Sequence, residues 1–98
     1  MGNAVIRARS PVRVAASASA VTVLAAESAR AGATVFNDSV AYLYLKFGST
    51  ASSTDFTVRV APGAVYTLPE PAYIGLITGI WSAALAGEAA QVTEVIHG

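Results

Sequence analysis

The sequence predicts an all-β domain: a small antiparallel β-sandwich or short β-barrel of about eight strands, with an extended N-terminal arm. Two observations carry this. Between Gly32 and Trp81, short β-branched and aromatic runs are cut at regular intervals by turn residues. Within the runs, apolar and polar residues alternate with a period of two.

Residues 1–11 form the arm, basic and weakly patterned, and 12–98 form one β domain. Val12 and Val14 alternate with Arg13 and Ala15, and Val21 and Val23 with Thr22 and Leu24. This predicts two short strands around Ala16-Ser17-Ala18-Ser19. Ala25 to Ala31 reads as a loop or one helical turn ended by Gly32. Ala33–Phe36 and Val40–Phe47 read as a hairpin joined at Asn37-Asp38-Ser39, residues that tolerate tight turns. In the longer strand Tyr42, Tyr44 and Lys46 share one face, and Leu43, Leu45 and Phe47 share the other. Gly48 to Thr54 is a polar loop tip. Phe56, Val58 and Val60 are expected inward, and Thr57 and Arg59 outward. Pro62-Gly63 fits the centre of a type II turn leading to a return strand at Val65–Leu68. Pro69 and Pro71 mark a sheet edge or corner. Tyr73–Trp81 is the most apolar strand, with Gly75 and Gly79 marking bulges or close backbone approach. A small-residue turn at Ala83–Ala89 precedes a last strand at Ala90–Ile96. The expected core is Leu43, Leu45, Phe56, Val58, Val60, Ile77 and Ile80.

Composition bounds function. Apolar residues make up 54% of the chain and charged residues 12%, against roughly 25% charged in an average domain. A surface with so few charges is expected to bury part of itself against other chains. The formal net charge is zero, so nucleic acid and anionic membranes are not expected partners. With no cysteine, disulfides and thiolate metal sites are ruled out. No apolar run approaches the roughly 20 residues of a membrane span, and Ser17, Ser19 and Thr22 make Ala15–Ala26 too polar for a signal-peptide core.

Little points to catalysis. His97 is the one histidine, the carboxylates are scattered, and no Gly-x-Ser-x-Gly elbow or phosphate loop is present. The expectation is a chain that is not an enzyme and takes no cofactor. The remaining residues of interest are the arginines Arg7, Arg9 and Arg13 and the aromatic residues Tyr42, Tyr44, Tyr66 and Trp81. The arginines suit contacts to an acidic neighbour. The aromatic residues suit subunit contacts or core edges, or, together with Tyr73, a sugar-stacking platform.

The run SARAGATVFNDSVAYLYLKFGSTASSTDFTVRVAPGAVYTLPEP, from Ser28 to Pro71, followed by YIGLITGIWSAA from Tyr73, resembles a family of small tailed-bacteriophage virion proteins. The elements that carry the resemblance are Arg30-Ala-Gly-Ala-Thr, Asn37-Asp38-Ser39, Leu43-Tyr-Leu-Lys46 and Gly79-Ile-Trp81. It implies a non-enzymatic structural protein on the phage particle surface, assembled in the host cytoplasm. The expected role is capsid decoration or cement, or a head-fibre base. The expected partners are copies of itself, as a homotrimer, and the major capsid protein or another virion protein. Alternatives are a tail or connector ring component, or a carbohydrate-binding module contacting a surface glycan. The expected interface residues are Arg7, Arg9, Arg13, Tyr42, Tyr44, Tyr66 and Trp81, with the Arg7–Arg13 arm reaching the acidic surface of a neighbour.

Overall fold

Period-two alternation and turn chemistry produce strands throughout. The computed structural model describes residues 5–98, and nine strands lie among them. They are β1 (Ile6–Ala8), β2 (Val12–Ala15), β3 (Val21–Leu24), β4 (Arg30–Asp38), β5 (Leu43–Phe47), β6 (Val58–Val60), β7 (Val65–Thr67), β8 (Ile77–Trp81) and β9 (Ala89–His97). They form two antiparallel sheets packed as a small β-sandwich. Sheet A runs β1-β9-β4-β7, with β2 also pairing β9; sheet B runs β3-β8-β5-β6.

The arm, residues 1–11, supplies β1, the strand beyond the expected eight. Its first four residues lie outside the described residues, but Ile6–Ala8 pairs with His97–Val95, and Val12–Ala15 pairs with Val92–Ala89. The arm therefore lies along β9, its β1 covering one edge of that strand together with β2.

The core sits between the sheets. Ala33 and Val35 of β4 and Ala90 and Val92 of β9 face Val23, Leu43, Leu45, Val60, Ile77 and Trp81 of sheet B, all nearly solvent-free. Gly79 is the close approach that its place in an apolar strand predicts. A Cβ there would lie 2.8 Å from Val23 Cγ2 and 3.2 Å from Leu43 Cδ1.

Several local expectations are corrected. β4 and β5 do not form a hairpin: β4 lies in sheet A and β5 in sheet B, so Ser39–Tyr42 carries the chain across the sandwich. Asn37 is fully buried rather than a surface turn residue. Its carboxamide nitrogen reaches the carbonyls of Ala41, Val60 and Ala61 at 2.8, 3.0 and 3.2 Å. Its oxygen accepts from Ser39 Oγ and Trp81 Nε1. Pro62-Gly63 makes the expected turn, with Gly63 at φ 74° and Ala64 N–H donating to Ala61 O. It too links the sheets, from β6 to β7. Gly32 ends nothing; it lies within β4, beside a register shift between Arg30 and Gly32. Phe56 is 40% exposed and outside the core, and Ile80 and Val58 are half-buried.

The irregular start of β4 turns Arg30 inward. Its side chain is solvent-free and pairs with Glu94 of β9 at 2.8 Å. It also donates to the carbonyls of Tyr73, Gly75 and Ala25. Unpaired, a buried guanidinium would be costly. Here it holds the approach to β8 and the exit from β3 against sheet A. Arg30 and Asn37 thus place polar locks at the two ends of one strand.

Candidate interface

The outward positions of sheet B converge on one aromatic surface. Tyr44 of β5 stands between Arg59 of β6 and Ile80 of β8 in cross-strand register. Tyr42, two residues earlier, shares its face. The Arg59 guanidinium lies over the Tyr42 ring, 4.6 Å from its centroid, an attractive cation–π geometry. Phe56 meets Tyr44 edge-to-face at 4.9 Å between centroids, the arrangement that ring quadrupoles favour.

The surroundings hold these groups in place. Tyr42 N–H donates to Ser82 Oγ, and Ser82 N–H donates to Tyr42 O. The loop carrying Phe56 is anchored at both ends. Ala51 N–H donates to Thr78 Oγ1, which donates to Gly48 O. Thr57 N–H donates to Leu45 O, and Phe47 N–H to Thr57 Oγ1. Lys46 and Asp55 add an ion pair at 2.6 Å. The result is a preorganised patch of three aromatic rings and an arginine, residue types enriched at interface centres, beside an isoleucine.

The seven residues singled out from sequence do not form one surface. Tyr42 and Tyr44 lie together on this patch. Tyr66 is on β7 in the other sheet, opposite Val35, packed against the core. Burial raises its pKa above the ordinary 10.0. Trp81 is a correction: it is 2% exposed, faces the core and donates its indole N–H to Asn37 at 3.3 Å. Neither a subunit nor a sugar reaches it. The arginine arm is corrected in part, because two of its charges are satisfied within the chain. Arg9 pairs with Glu27 at 2.8 Å and with Glu94 at 3.5 Å. Arg13 pairs with Asp38 at 2.9 Å and donates to Gly87 O. Arg7 is exposed on β1 and has no ion-pair partner among the described residues.

Phe56, Arg59 and Ile80 were not singled out from sequence as interface residues. Parity along β8 is the signal that finds Ile80: Ile77, Gly79 and Trp81 face inward, so Ile80 faces outward. Phe56 precedes the short β6, so β6's alternation does not extend to it.

The sheet edges are poor docking sites. β6 and β7 have three residues each, β3 has a register shift between Thr22 and Leu24, and the remaining edge is split between β1 and β2. These are recognised ways of blunting edge-to-edge association. Among the described residues no three His, Cys, Asp or Glu side chains gather as a metal site, and no helix is long and apolar enough to cross a membrane. Comparison of the chain with protein-family models, curated proteins and solved structures finds no match.

Proposed function

We propose that this chain is a non-enzymatic structural subunit of a tailed-bacteriophage particle, attached to the head surface as a decoration or cement protein or as a fibre base. The observation that carries the reading is the outward patch of Tyr42, Tyr44, Phe56, Arg59 and Ile80 on a braced sheet. The resemblance of Ser28–Pro71 to small virion proteins supports it. Binding energy would come from burying aromatic surface, with a homotrimer and the major capsid protein as partners. The paired charges of Arg9 and Arg13 move the proposed contact away from the arm and onto this patch.

The test is quantitative mass spectrometry of purified virions from an infection in which the gene is expressed. The expected result is the chain present in many copies per head, in a multiple of three. Absence from the particle sinks the reading. Six or twelve copies co-purifying with tails or connectors would favour a ring component instead.

A further inference from the structure

We infer that copies of this chain associate head to tail, the Pro69-Glu70-Pro71 corner of one copy docking on the Tyr42–Tyr44–Phe56 face of the next, with Glu70 pairing Arg59. The inference rests on the assembly reading above and specifies its contact.

Charge bookkeeping selects the two groups. Arg9, Arg13, Arg30 and Lys46 all have carboxylate partners within the chain. Among the described residues this leaves Arg7 and Arg59 as cations without one, and only Arg59 lies in an aromatic patch. The acids without an ion pair among the described residues are Glu70 and Glu88. Glu88 turns one carboxylate oxygen inward and accepts the Val40 N–H with the other, so Glu70 is the one presented to solvent.

The corner has the right chemistry. Pro69, Glu70 and Pro71 are all exposed. Proline fixes its own φ, so docking the corner freezes little backbone freedom. Proline rings also suit aromatic-lined surfaces. The patch supplies such rings, and Arg59 beside them supplies the countercharge. Within one chain the corner lies in the connection from β7 to β8, outside both sheets, and Arg59 and Glu70 make no ion pair with each other. A two-fold contact of patch on patch would set Arg59 against its own copy, a like-charge pairing that costs energy. A head-to-tail contact avoids this, and closes into a ring when its rotation permits.

The test is sedimentation equilibrium of the purified chain up to about 1 mM, the range where even a contact with a Kd of about 1 mM is populated. Arg59→Glu, Glu70→Arg and the combined swap are run alongside. Arg59→Gln and Glu70→Gln serve as milder versions, and Trp81 fluorescence checks the fold of each. The expected result is self-association weakened at least about tenfold by each single reversal and recovered by the swap. A wild-type chain that stays monomeric overturns the contact, as does association that neither reversal touches. Virion mass spectrometry is independent: a monomeric chain still found on heads overturns this contact and leaves the proposed function standing.

Discussion

Trp81 of sheet B donates its indole N–H to Asn37 of sheet A at 3.3 Å, so one buried carboxamide ties together the ends of β8 and β4. The same carboxamide nitrogen reaches three backbone carbonyls in the Ala41 and Val60–Ala61 segments.

Replacing Asn37 therefore strands several partners at once. Asn37→Asp keeps the shape but removes the donors and adds a buried acceptor. The expected loss is about 3 kcal/mol, since each buried group left unsatisfied costs about 1–3 kcal/mol. Urea unfolding followed by the fluorescence of the single tryptophan measures it. A change below about 1 kcal/mol would show that the crossing is held by packing alone.

Gly79 tests the packing between strands. The side chains of Val23, Leu43 and Leu45 leave no room for a methyl group there. Gly79→Ala is expected to lower stability by about 1–3 kcal/mol through overpacking, visible as a lower urea midpoint with little change in slope.

The Arg30–Glu94 pair is expected to behave asymmetrically. Arg30→Met leaves three carbonyls without their donor and Glu94 with only the longer 3.5 Å contact to the exposed Arg9, and costs about 3–5 kcal/mol. Adding Glu94→Leu to Arg30→Met recovers part of that loss, because the stranded charge is gone. A double variant as unstable as the single one would place the cost in the carbonyls instead.

Tyr66 gives an alkaline signature. Desolvation raises its folded-state pKa above 10.0, so folding favours the neutral phenol. The associated stability is present below pH 10.0 and is lost as pH rises through the folded value. Wild type is thus expected to lose more stability between about pH 9 and about pH 11 than Tyr66→Phe does. Equal losses in paired urea titrations would remove Tyr66 from the alkaline response.

Alternation made much of this fold legible. The paired valines of β2 and β3, the inward Leu43 and Leu45, the outward Tyr42 and Tyr44, and β9 all follow from period two. Alternation assigns a face, however, and says nothing about which sheet receives the strand. Asn37-Asp38-Ser39 and Pro62-Gly63 have the composition of hairpin turns, yet both carry the chain between sheets. What decides the first crossing is the burial of Asn37 against the carbonyls of Val60 and Ala61, distant in sequence, which no local pattern records. The interface was half legible for a related reason. Two tyrosines at i and i+2 announce a shared face, whereas Phe56 and Arg59 join them only through loop closure and β5–β6 pairing. The basic run in the arm reads as a free charge patch because the carboxylate partners of Arg9 and Arg13 lie 18 to 85 residues away in sequence.

The pairing of Ile6 with His97, continued by a hydrogen bond from Gly98 N–H to Val5 O, has a mechanical consequence. Tension applied between residues 5 and 98 meets the β1–β9 ladder at its open end and breaks its bonds one after another, like a zipper. Each such bond resists with only about 1 kcal/mol. Force borne across the faces is instead shared by the whole area at once. A load-bearing tether fixed to these two positions should yield at low force, whereas two cargoes grafted there would emerge side by side from a single corner.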